Sequence, residues 1–366
     1  MKKLASLLLI LTMLLALFAC GEKYPPVEST EKEATVMFTV TADGKNYAVR
    51  YELYRAFFLT YKSEIDGGDD TVWSGPDKAE YVERINEIII PKIANIYATI
   101  RLAEKIGVDF SSKEVKSTVD EFITASIEGG IYEGGIIEGL GSYEEYLEHL
   151  KSLGLNYSVQ VLLYHYAIAE SKITEYYVGT LNNDNFTPDA TVGALEYTEE
   201  DVREFYESDE CVRVLRAFVQ RILGEERAAQ VREAMYQATG ETQVGLVIMQ
   251  NTTASVEDGF GGMTVGRYSL DVTNYKEFTD VAFSLPIGSV SGVLEISTGV
   301  DNGYHILYRA EKSDEHFEEY YASVVIAYLD NEIGKMINDI TEDIIESINY
   351  SAAYDGLNHA EISMEQ

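Results

Sequence analysis

The run EFTDVAFSLPIGSVS at residues 277–291, followed after a short gap by GYHIL at 303–307, is the stretch on which the reading of this chain turns. It closes a segment, Val212 to Lys312, whose patterning is mixed. A strand-like run opens that segment, and residues 225–238, rich in Ala, Glu and Arg, read as a helix. A glycine-rich loop covers 259–266, and strands return after it.

Outward from this segment the pattern is mostly helical. Toward the N-terminus, Val36 to Val40 and Tyr47 to Tyr51 flank Asp43-Gly44, the signature of a β-hairpin. Ile85, Ile89, Ile93, Ile96 and Ile100 then recur at spacings of three and four, which predicts a one-sided apolar helix. Pro91 falls inside that run and predicts a kink or a helix start. Ser111 with Glu114, and Ser142 with Glu145, carry the spacing of capping boxes, and Thr198 with Asp201 opens another helix. The glycines between Gly129 and Gly141 predict a turn between helices, and they lack the Gly-Lys-Ser/Thr ending of a phosphate-binding loop. Toward the C-terminus, Tyr321, Val325, Tyr328, Ile333, Met336, Ile340, Ile344 and Ile348 form a helical stripe. Residues 313–366 carry Lys335 as their only Lys or Arg, so the opposite face is acidic and solvated. An amphipathic helix of this kind must bury its stripe, and the N-terminal helices are its natural partner.

The first residues read as a leader. Lys2 and Lys3 precede an apolar run from Leu4 to Phe18, too short to span a bilayer comfortably, and LFAC at 17–20 resembles a bacterial lipobox. Cys20 is thus the expected lipidation site, residues 1–19 the signal peptide and 20–35, with Pro25-Pro26, an extended tether. Cys211 is the only other cysteine, so no intramolecular disulfide is expected and packing alone must stabilise the fold. The 46% apolar content, with 27 Tyr and 13 Phe, supplies material for that packing. A net charge of −34 repels a phosphate backbone or an anionic membrane face, which excludes nucleic-acid binding and leaves a lipid as the membrane attachment.

The 277–291 run closely resembles the parvulin pattern EFxxAAFxLxxGxIS, and GYHIL resembles its closing GYHII strand. Leu215-Arg216-Ala217 and the GEERA run at 224–228 are similar to the first strand and helix of that family, and Gly259 to Gly266 to its glycine loop. RLAEKIGV at 101–108, leading to Ser111 and Glu114, resembles the N-terminal helical region of secreted foldases of the PrsA and SurA type. The resemblance implies an α+β fold: an all-helical chaperone domain, built from N- and C-terminal segments, with an inserted parvulin-like (FKBP-like α/β) domain. Its expected boundaries are 36–208 for the N-terminal helical part with its hairpin, 209–312 for the insert, and 313–366 for the C-terminal helix. It implies extracytoplasmic, lipid-anchored localisation and unfolded or newly secreted polypeptides as partners.

The chemistry implied is prolyl isomerisation, in which an apolar pocket favours the twisted amide over the planar one without nucleophile, metal or cofactor. Phe278 matches the pocket phenylalanine and Phe283 stands where a pocket wall would be; both also fit as core aromatics. His305 matches the second of the family's paired histidines, the catalytic candidate, and also fits as a hydrogen-bonded core residue. The rest departs from the pattern. Val219 falls where the first histidine belongs, Asn251 or Thr252 where a strand acid or cysteine belongs, and Asn274 where a methionine belongs. An apolar Val219 cannot hydrogen-bond a partner histidine. Three functions stay open: a peptidyl-prolyl isomerase, a non-catalytic chaperone whose parvulin-like domain only holds peptide, and a surface lipoprotein that binds one dedicated partner. No HExxH, paired Cys/His spacing or GxSxG elbow points to a metal or hydrolytic site.

Overall fold

In the computed structural model the described residues are 23–132, 135–179, 193–252, 262–269, 272–296 and 303–364; Cys20 and the expected signal peptide, residues 1–19, lie outside them. They form a mixed α+β fold that divides into two compact units, residues 1–169 with 343–366, and residues 170–342. The division falls inside two helices, at 169/170 and 342/343, whereas the sequence places the last boundary at 312/313.

The first unit begins with strands β1 (Val36–Ala42) and β2 (Lys45–Arg50). Asp43 and Gly44 take positive φ of 47° and 76°, the two-residue turn that matches strand twist. Helix α1 (Tyr51–Asp66) follows, then α2 (Lys78–Lys105), which runs through Pro91 without a break. Pro91 and Glu87 are both exposed, so the Glu87 carbonyl that loses its donor faces water. Ile85, Ile89, Ile93, Ile96 and Ile100 are buried, as their spacing predicts. Helix α3 (Lys113–Glu128) is capped by Ser112, one residue beyond the predicted Ser111. Ser111 instead donates to Asp109. The glycine stretch predicted as a turn holds a short antiparallel pair, β3 (Gly129–Tyr132) with β4 (Gly135–Glu138). Helices α4 (Tyr143–Ser152), capped by Ser142, and α5 (Tyr157–Tyr177) follow.

The C-terminal residues complete this unit. A short strand at Asn349–Tyr350 pairs with β1, giving the sheet order β2-β1 and then that strand. The Arg55 guanidinium, 4% exposed, donates to the carbonyls of Ser363, Met364 and Gly154. His359 lies with Nε2 3.0 Å from the Tyr54 hydroxyl, among the rings of Tyr54, Phe58 and Tyr354.

In the second unit, α6 (Glu199–Glu207) opens with the Thr198–Asp201 capping box. Strand β5 (Cys211–Gln220) leads to α7 (Glu225–Gln237) and α8 (Glu241–Asn251). Then come β6 (Met263–Gly266), α9 (Val272–Ser284), β7 (Leu294–Ile296) and β8 (Gly303–Ala310). The sheet order is β6-β5-β8-β7, with antiparallel pairing throughout. Alternation splits β5 between two cores. Leu215, Ala217 and Val219 pack with Ala228, Val231 and Ile248 of α7 and α8. Val212 and Val214 pack with Phe278 and Ala282 of α9.

After α10 (Asp314–Glu319), α11 (Tyr321–Glu346) carries the predicted stripe, with Val325, Ile333, Ile340 and Ile344 buried; Ile348 lies beyond its end. Its first part belongs to the second unit for a local reason. Asn331 is fully buried and accepts from the Tyr268 backbone N–H at 2.9 Å, and Gly334 lets the Tyr268 carbonyl approach the helix. Glu210 pairs with Lys335 at 2.6 Å. No helix among the described residues is long and apolar enough to cross a membrane.

Candidate functional site

The 277–291 run and the GYHIL strand form one folded element. Phe278 and Ala282 share a face of α9 and pack on the sheet. Arg309 Nη1 donates to the Ala282 carbonyl at 2.7 Å and so caps the helix end. Gly288, at φ 79°, makes the turn that a side chain would strain, and its N–H donates to the Arg309 carbonyl at 2.8 Å. Ser291 is tied to β8 twice: its N–H donates to the Leu307 carbonyl, and its Oγ accepts from the Leu307 N–H. Gly303 is required because a Cβ would meet the Val219 carbonyl at 2.6 Å and the Phe218 ring at 2.7 Å.

His305 stands on β8 directly opposite Phe218 of β5 and Leu294 of β7. Its ring centroid is 5.0 Å from that of Phe218 and 6.1 Å, nearly perpendicular, from that of Phe278. His305 is 0% exposed and Phe278 4% exposed, so neither offers surface to a substrate in this conformation. Phe283 is half-buried against the same apolar cluster, and the Arg267 guanidinium covers its ring at 4.3 Å.

Val219 does not face His305. It pairs with Tyr304, and strand alternation turns it to the other side of the sheet, onto α7. The residue in the cross-strand position is Phe218, which sequence reasoning missed. The signal was present in the sequence: Leu215, Ala217 and Val219 form one apolar period-two set, which leaves Arg216 and Phe218 for the opposite face. Asn251 and Thr252, read as strand positions, end helix α8 instead. Asn251 Nδ2 donates to the Val247 carbonyl while Oδ1 accepts from Arg227, and the Thr252 hydroxyl donates to the Ile248 carbonyl. Asn274 lies in α9, where the side chains of 272–276 are outside the described set.

Burial pushes the Cys211 thiol up to about 12, which keeps it protonated and unreactive near neutral pH. No group of three or more His, Cys, Asp or Glu that could hold a metal occurs among the described residues.

No family model and no curated protein matches the chain. Among solved structures it is similar to PrsA from Bacillus subtilis, with 14% identity over 78% of this chain and 94% of that one, at a TM-score of 0.25. It is similar to the foldase protein PrsA from Streptococcus pneumoniae, with 15% identity over 87% and 97%, at 0.23. A third is the peptidylprolyl isomerase PrsA from Bacillus cereus, with 14% identity over 91% and 100%, at 0.23. The chain is thus similar to PrsA structures along most of its length, at low identity and low TM-score.

Proposed function

We propose that the protein is an extracytoplasmic folding factor, tethered by a lipid on Cys20, that holds unfolded or newly secreted polypeptides. In this reading residues 209–312 are a parvulin-like insert that serves as a peptide-binding module, while 36–208 and 313–366 supply the chaperone body. The observation that carries the distinction between holding and catalysis is the packing of His305. A prolyl isomerase lowers its barrier by gripping the twisted amide more tightly than the planar one, and the gripping groups must touch the substrate. His305 is 0% exposed and Phe278 4% exposed, so in this conformation neither side chain offers surface to a substrate. Phe278, Ala282, Gly288, Ser291 and Leu307 make the contacts that join this helix, turn and strand, while His305 and Phe278 stay buried. The folding-factor reading draws its support from those motif residues, and the tether from the charged start and lipobox of the sequence.

The test compares two assays on the intact chain. Suppression of aggregation of a refolding client is expected, together with turnover near background in a protease-coupled assay on a proline peptide. Robust turnover that collapses in His305→Ala would overturn the non-catalytic reading. Absence of both effects would leave the dedicated-partner lipoprotein as the surviving function.

A further inference from the structure

The first unit contains a cleft of about 390 Å³ along the outer edge of β2. Strand β2 ends its sheet, so one side of its backbone has no strand partner among the described residues. The Tyr97 hydroxyl reaches the Ala48 carbonyl at 3.5 Å, which marks that carbonyl as turned away from β1. In an antiparallel ladder every second residue points its main-chain groups the same way, so those of Asn46 face outward too. Ala48 is small and exposed, and β2 carries no proline to blunt this edge.

The walls suit an apolar side chain. Leu53 of α1 and Val159 and Leu162 of α5 line the cleft, with Tyr97 on the other side. A carboxylate stands among them: Glu52 is 6% exposed, and its Oε2 accepts from Asn156 Nδ2 at 2.8 Å and from the Ser29 hydroxyl. The other oxygen, Oε1, has the Arg50 guanidinium at 3.8 Å, beyond hydrogen-bond reach. The Arg50 side chain, which also lines the cleft, is 51% exposed. A buried acceptor, apolar walls and an open strand edge do not match a folded partner, which could not enter this volume.

We propose that the cleft takes an extended segment of unfolded polypeptide as an added strand on β2, with a Lys or Arg side chain of that segment directed to Glu52. The assignment deepens the folding-factor reading and rests on it. Charge complementarity selects the occupant: the net charge of −34 on the whole chain favours a cationic segment, whose Lys or Arg would take the place of the half-exposed Arg50 3.8 Å from Glu52. Main-chain pairing would supply affinity for many sequences, and the alternate side-chain positions would supply the preference for basic residues.

The experiment measures binding of a fluorescent peptide of alternating valine and lysine to the full chain by anisotropy. A valine–glutamate peptide and an N-methylated valine–lysine peptide serve as comparisons. The valine–lysine peptide is expected to bind about tenfold or more tightly than either. Leu162→Trp, which fills the cleft from a half-buried position, is expected to abolish the difference, and Glu52→Gln to remove the preference for lysine over glutamate. Equal binding of the N-methylated peptide, no binding of the valine–lysine peptide, or unchanged binding by Leu162→Trp would overturn the cleft assignment. Client aggregation is measured on the same samples. Suppression that persists while the peptide results fail removes this site and leaves the folding factor standing, whereas loss of suppression by the unmodified chain removes the folding factor itself.

Discussion

The imidazole of His359 touches Tyr54 through Nε2 and lies against Phe58 and Tyr354; burial, and the Lys78 charge after it, push its pKa down to about 4. The native state therefore prefers the neutral ring, while the unfolded chain takes up a proton near pH 6.5. Stability from this group is full above pH 6.5 and is lost as pH falls through the folded value near 4, by about 2 kcal/mol with solvent screening allowed for. Urea unfolding between pH 7 and 4 is expected to show a smaller acid loss in His359→Gln than in the parent chain. Equal slopes would remove His359 from the acid response. A second residue-level prediction separates the two faces of β5. Val219→His places an imidazole in the apolar cluster under α7 and is expected to cost about 2–4 kcal/mol in denaturant unfolding. Phe218→His instead puts a nitrogen opposite His305, and it is the substitution expected to raise prolyl-isomerase turnover. A stable Val219→His chain with raised turnover would reverse this assignment of faces. At this scale the sequence marked His305 and Phe278 as candidates through two local motifs, and the structure sets their rings 6.1 Å apart. The sequence hid the cross-strand partner, because register between β5 and β8 is a long-range property that no local spacing states.

Elements with strong periodicity were legible. The Ile85–Ile100 stripe, the Asp43-Gly44 hairpin, the Thr198 cap and the strand at GYHIL all stand where their local chemistry places them. The differences have local physical causes. Pro91 is tolerated because it and Glu87, whose carbonyl it leaves without a donor, lie on the exposed side of α2, and the 129–141 glycines adopt a strand pair rather than a plain turn. Helix α8 was missed because its apolar residues were read against a strand position. The tail helix shows how tertiary contacts divide a uniform stripe. The same heptad-like spacing runs from Tyr321 to Ile344, yet the contacts of Asn331 and Gly334 hold the first part in the second unit. Gly334→Ala would drive a methyl group into the Tyr268 carbonyl, and a loss of about 2–3 kcal/mol is expected in the unfolding of the second unit. Asn331→Ala is expected to cost less, about 1–2 kcal/mol, as one buried N–H loses its acceptor. A Gly334→Ala chain that melts with the parent would show that the helix does not approach this turn closely.

For the whole molecule, the first unit is built from both ends of the chain. The Asn349–Tyr350 strand pairs with β1, Ser351 Oγ donates to the Val36 carbonyl at 2.7 Å, and Arg55 holds the carbonyls of Ser363 and Met364. Truncation after residue 348 removes all of these and the His359 contact. It is expected to raise hydrogen exchange of α1 and α2 amides by orders of magnitude while the β5 and β8 amides stay protected. Unchanged exchange in α1 would show that the terminal segment is an ornament on a self-sufficient unit. The helical stripe pointed to such a closure, but the aromatic cage and the Arg55 clasp depend on residues three hundred positions apart and leave no local mark. A timing constraint follows from that arrangement. A chain made from its N-terminus forward presents β1 and α1 long before the segment that finishes their core exists. During that interval Phe38, Tyr54 and Phe58 lack Tyr350, Tyr354 and His359 as neighbours. The second unit, contiguous in sequence, has all its strands available earlier. Synthesis thus imposes an order in which the part that emerges first is the last to close.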